Sequence, residues 1–136
     1  MSVPDLDDAI ANYFDYREKL SSASRSDRLE AQHGDRLDDW LSEAIHSRDG
    51  RADEAVWAVV LALVEAAPDD RALGYVAAGP LEDLAWYHGE QFGERLVERT
   101  RADPKFRTAM AGILGWDRVV EPYRSLLLAI LPASTG

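Results

Sequence analysis

The sequence predicts an all-α protein: one domain over residues 1–136, with about seven or eight helices packed as antiparallel hairpins around a buried central helix at 53–67. Three observations lead there. Ten consecutive apolar residues, Ala55 to Val64, sit inside DEAVWAVVLALVEAA, and a helix that is apolar on every side belongs among its neighbours rather than at a surface. Before and after this run, apolar residues recur at i, i+3, i+4 and i+7, the period of a helix with one buried face. No stretch alternates strictly between polar and apolar, so no sheet is expected. A buried strand at 55–64 is the competing reading; the valines favour it, but the alanines and the length do not.

The elements follow in order. Pro4 suits a first helical turn, with Ser2 or Val3 as cap, and Asp5, Asp7 and Asp8 complement the helix dipole there. Leu6, Ile10, Tyr13, Phe14 and Leu20 share one face of a helix ending near Leu20; the aromatic pair reads as core. Ser21 to Ser26 is a linker. A second helix opens on Ser26 or Asp27, with Glu30 near its third position, and buries Leu29, Leu37, Trp40, Leu41, Ala44 and Ile45. Gly34 weakens its middle and marks a kink. Asp49-Gly50 signals a turn in the loop Ser47 to Ala52.

The central helix follows, with Asp53 and Glu54 in its first turn. Pro68-Asp69-Asp70 ends it and starts a short helix with Leu73, Val76 and Ala77 inward. Ala78-Gly79 closes that helix and Pro80 opens another, with Gly79 and Glu82 in a capping arrangement. Leu81, Leu84, Ala85 and His88 lie on one face, and Gly89 is the stop. Phe92, Leu96, Val97 and Thr100 mark the next helix. Asp103-Pro104 starts another, with Phe106, Ala109, Met110 and Ile113 inward and Gly115 at its end. Pro122 begins a last helix carrying Tyr123, Leu126, Leu127, Ile130 and Leu131; Pro132 terminates it before a frayed tail. The short turns suggest stacked helix hairpins, although no sequence repeats at a fixed period.

Composition narrows the function. Apolar residues make up 46% and charged residues 29%, as in a globular domain large enough for its own core. With no cysteine, disulfides, thiol catalysis and Cys-ligated zinc are excluded. The acidic start MSVPDLDD lacks the apolar core of a secretory signal, and the ten-residue apolar run falls short of the about 20 residues a bilayer requires. A soluble cytoplasmic protein is expected. Net charge is −10, a sign that disfavours nucleic acid. The charge is uneven: residues 1–91 hold 20 acidic and 8 basic residues, and residues 92–136 hold 5 and 7. Solubility alone accounts for such an excess; its functional reading is an acidic face for a basic partner.

Chemistry-bearing patterns are sparse. Glu30–His33 and Glu43–His46 have the i, i+3 spacing used in helical metal sites. Thirteen residues apart on one helix, they point about 220° from each other and converge only if Gly34 breaks the helix. No metal and no cofactor are therefore expected. His88 on an apolar face reads first as a core histidine bonded to a backbone carbonyl, and second as an acid–base group working with Glu82 or Asp83. Adjacent on a helix, Glu82 and Asp83 diverge by about 100°, against a shared acid–nucleophile role. Trp86 falls off the apolar stripe; exposed beside carboxylates, it would suit a contact hot spot. No nucleophile elbow and no phosphate-binding loop appear.

The stretch LGYVAAGPLEDL at 73–84, His88-Gly89, and DPKFR at 103–107 resemble a bacterial family known only as a domain of unknown function, with the signature AAGPLEDLL, HG, DPxFRxAL and often a Trp. Residues 73–116 match in order; Ala85 and Met110 stand where the pattern has Leu. The resemblance implies a shared fold and a bacterial origin, and brings no activity with it. It directs attention to Gly79 and Pro80 as a hinge, to Glu82 and Asp83 as caps of that corner, and to Arg107 reaching back to one of them as a buried pair. The candidate functional surface is Glu82, Asp83, Trp86, His88 and Arg107. The expected function is a protein–protein interaction module, of immunity or inhibitor type, for a basic partner. The alternative is an enzyme or small-ligand binder with an interhelical pocket near His88, Glu82 and Asp83. Self-association through the last helix is a third option.

Overall fold

The computed structural model describes residues 6–46 and 52–132. The Pro4 helix start, Asp5, the Asp49-Gly50 turn and the tail after Pro132 lie outside the described residues. All secondary structure among the described residues is helical: α1 (Leu6–Leu20), α2 (Arg25–Ala31), α3 (Arg36–His46), α4 (Glu54–Ala66), α5 (Asp70–Val76), α6 (Glu82–Tyr87), α7 (Gly89–Ala102), α8 (Pro104–Ala111) and α9 (Tyr123–Ile130). The chain divides into two compact units, Met1–Ala44 and Ile45–Gly136.

In the first unit α1 packs on α2 as a helix hairpin. Ile10 and Tyr13 are buried, and Tyr13 meets Phe14 edge to face at 5.4 Å. Leu20 and Leu29, both expected inward, are exposed. The expected second helix is two helices. Gly34 takes φ +78, a left-handed conformation that suits glycine, and the chain restarts at Asp35, whose Oδ2 accepts from the Asp38 N–H at 3.0 Å. The cap of α2 is Ser24, two residues before the expected Ser26: its hydroxyl accepts from the Asp27 N–H, while Ser22 Oγ donates to Asp27 Oδ2 at 2.8 Å.

In the second unit three aspartates start three helices. Asp53 accepts from the Ala55 and Val56 amides, Asp69 from Ala72, and Asp103 from Lys105 and Phe106, with Pro104 at the first helical position. Each such cap contributes about 1 kcal/mol. Part of the acidic excess is thus local helix chemistry. α4 buries Val56, Val59, Val60, Leu63 and Val64 and packs on α5 and α8. It is not enclosed all round: Ala55 and Ala58 face solvent, so the apolar run is one broad buried face backed by small residues. Phe106 and Met110 of α8 are fully buried beside it, each contributing roughly 1.5–3 kcal/mol through apolar burial.

α5 and α6 are joined by a wide turn, Ala77–Leu81, kinked at Gly79, where φ is −126 and ψ −108. This is the hinge expected at Gly79-Pro80. α7 packs on α6, α8 and α9. Gly93 leaves room for the Tyr123 ring, which a Cβ there would overlap. α8 ends at Ala111 with Gly112 as cap, earlier than the expected Gly115. Gly115, at φ +65, instead opens the short turn Trp116–Arg118.

Candidate functional site

α6 follows the kink at Gly79 and turns its apolar stripe inward: Leu81, Leu84, Ala85 and His88 are all buried, as the helical period requires. The stripe leaves two flanks. Glu82 and Trp86 stand four residues apart on one, and Asp83 and Tyr87 stand four apart on the other. Residues at i and i+4 lie one turn apart on the same side of a helix, so each pair acts on one neighbour.

The Glu82–Trp86 flank grips residue 114. The Leu114 N–H donates to Glu82 Oε2 at 2.9 Å, and Trp86 Nε1–H donates to the Leu114 carbonyl at 3.2 Å. Gly115 completes the grip, since a Cβ there would stand 2.8 Å from Trp86 Cζ2. On the Trp86 ring lies the Arg118 guanidinium, 4.6 Å from the ring centroid. Glu82 therefore does not close a capping box on Gly79; its carboxylate reaches forward to the loop after α8. Trp86 is half-buried rather than a freely exposed hot spot.

The Asp83–Tyr87 flank meets the end of α3. His46 Nε2 stands 3.4 Å from Asp83 Oδ2, and the His46 and Tyr87 rings lie 4.7 Å apart. Burial pushes the Asp83 carboxyl above its ordinary value, opposed by the attraction of His46. All three side chains keep solvent contact.

His88 serves the backbone. Its Nε2 lies 2.7 Å from the Ile45 carbonyl, in the last turn of α3. A carbonyl only accepts, so Nε2 carries the proton. The imidazole thus satisfies one of the carbonyls that a helix end leaves unpaired. Arg107 does the same for α7: Nε donates to the Thr100 carbonyl at 3.1 Å and Nη2 to that of Arg101 at 2.8 Å. It does not reach Glu82 or Asp83, and the expected buried pair is replaced by a helix C-cap.

Of the five candidates, Glu82 and Trp86 converge on one loop, Asp83 and His88 both reach the end of α3 at His46 and Ile45, and Arg107 acts elsewhere. Sequence reasoning missed Leu114, Gly115, Arg118 and the His46–Asp83 contact. The i, i+4 pairing within EDLAWY was the available signal for the two flanks. Within the first unit Glu30 pairs with Lys19 at 3.0 Å, and within the second His46 meets Asp83 at 3.4 Å. Among the described residues no three His, Asp or Glu side chains stand close enough to hold a metal ion, and no helix is long and apolar enough to cross a membrane.

The model of a family of unknown function, DUF6869, matches residues 28–122, a span containing all five candidates and Leu114. No curated protein and no solved structure matches the chain.

Proposed function

This chain belongs to the family of unknown function DUF6869, and from that premise we propose that it is a protein–protein interaction module that docks a basic partner protein through an acidic face. The carrying observation is the charge distribution: 20 acidic against 8 basic residues over the first 91 positions. In the first unit Asp7, Asp8, Asp15, Glu18, Glu30, Asp39 and Glu43 are exposed, against Arg25, Arg28 and Arg36 among the basic residues. Such a field accelerates encounter with a cation-rich surface and repels nucleic acid. The most specific form of this reading is a bacterial cytoplasmic immunity or inhibitor protein that neutralises a basic target.

The engagement of Glu82 and His88 with backbone groups supports this reading over the enzymatic one, because one carboxylate oxygen and one ring nitrogen are each committed to a structural hydrogen bond and both side chains are buried. An enzymatic reading now has to run through His46 and Asp83, the solvent-facing imidazole and carboxylate of α3 and α6. The deciding experiment is a pull-down of tagged protein from its native lysate at low and moderate salt, read by mass spectrometry. One stoichiometric basic partner that is lost as salt rises is the expected result. No partner at either salt would overturn the module, and a small-molecule binding screen comparing wild type with His46→Ala would then test the second reading.

A further inference from the structure

We propose that the loop after α8 is a second docking surface, independent of the acidic face: Leu114, with Trp86 and Arg118, anchors in an apolar pocket of a partner protein whose rim carries carboxylates. Leu114 is 73% exposed, the highest among the exposed large apolar residues described. A single exposed leucine is ordinary on a protein surface. This one differs in how it is held. It sits in a loop, and both of its backbone polar groups are bound by side chains of α6, the N–H by Glu82 and the carbonyl by Trp86. Gly115 beside it has a left-handed φ and no space for a side chain against Trp86. The loop is fixed from two sides in a conformation that turns the leucine outward, so binding it costs little ordering entropy.

Its company points to the occupant. Trp and Arg are the residue types most enriched at binding hot spots, and here they stand together, the Arg118 guanidinium over the Trp86 ring. Arg118 is exposed, and among the described residues no carboxylate pairs with it. A guanidinium carries five N–H donors, and the contact with the Trp86 ring uses its charge rather than a hydrogen-bond acceptor, which leaves donors for an acidic partner group. An outward-facing apolar anchor beside an available guanidinium fits an apolar pocket edged by Asp or Glu. It does not fit the basic surface that the acidic face would take.

The test places a photo-activatable benzophenone amino acid at position 114 of the full chain in its native cells. The same probe at Leu29, a 47% exposed leucine on α2, serves as control. The expected result is a discrete adduct from position 114 that is absent from position 29. Its cross-linked peptide carries apolar residues beside Asp or Glu. Arg118→Glu in the same background should reduce the adduct about tenfold. Arg118→Gln, which removes the positive charge without reversing it, should reduce it less. The sign of Arg118→Glu separates the two surfaces, because added negative charge favours a basic partner and repels an acidic one. No adduct beyond that at position 29, a Lys- or Arg-rich cross-linked peptide, or an adduct insensitive to Arg118→Glu would each overturn the proposal.

Discussion

The two flanks of α6 use one spacing to different ends. Glu82 and Trp86 close on the backbone of Leu114; Asp83 and Tyr87 meet the ring of His46. On the first flank the carboxylate is buried and its partner is an amide, which has one protonation state. On the second the carboxylate is half-buried and its partner is an imidazole, which has two. Identical helical geometry therefore yields a fixed structural joint on one side and a titratable contact on the other. What separates them is the chemistry of the neighbour.

The largest expected effect comes from Gly115→Ala. It forces a side chain into left-handed backbone and against Trp86, and should cost about 3 kcal/mol in urea unfolding. A loss below about 0.5 kcal/mol would mean that the loop gives up both the left-handed backbone and the close approach to Trp86 at little cost. Next is Glu82→Ala, which strips the Leu114 amide of its acceptor; a cost of about 2 kcal/mol is expected. Glu82→Gln retains an acceptor oxygen and should recover at least half of that. Hydrogen exchange at Leu114 should quicken in the first variant and much less in the second. Trp86→Phe keeps a ring under Arg118 but removes the indole donor, for about 1 kcal/mol.

The other flank should respond least to substitution and most to pH. Asp83→Asn is expected within about 1 kcal/mol of wild type near neutrality, as for a partly exposed pair. Because burial raises the Asp83 carboxyl above its ordinary value, the folded chain holds that proton over a range where the unfolded chain has lost it. The contribution of Asp83 is greatest below the unfolded value and declines as pH rises through the folded one. The stability of wild type relative to Asp83→Asn should therefore fall with rising pH across the carboxylate range and then level off. A relative stability that instead grows with pH would show that the attraction of His46 outweighs desolvation.

Helices were legible in the sequence where the signal is local. Asp53 before the apolar run, Asp103-Pro104 before Phe106, and the Leu81–Leu84–Ala85–His88 stripe all stand where periodicity and capping chemistry put them. The start of α2 was misread because SSASRS offers several capping hydroxyls in a row, and the one used depends on how Ser22 and Asp27 meet. At the candidate site the buried face was readable and the partners were not. Glu82 finds its amide 32 residues downstream, and Arg107 finds carbonyls at the end of α7 rather than a carboxylate. Opposite charges on two helices suggest an ion pair, but unpaired helix-end carbonyls compete for the same guanidinium, and here they stand closer in sequence and in space.

Gly93 carries a consequence for how this fold can vary. Leu127 alone is fully buried along α9, so the helix is located less by an apolar seam than by the Tyr123 ring seated over a missing side chain. Volume at positions 93 and 123 is then a shared quantity: any gain at one has to be surrendered at the other. Among chains of this fold the two positions should covary as a matched pair, while Leu126 and Leu128, facing solvent on the same helix, should substitute without regard to either.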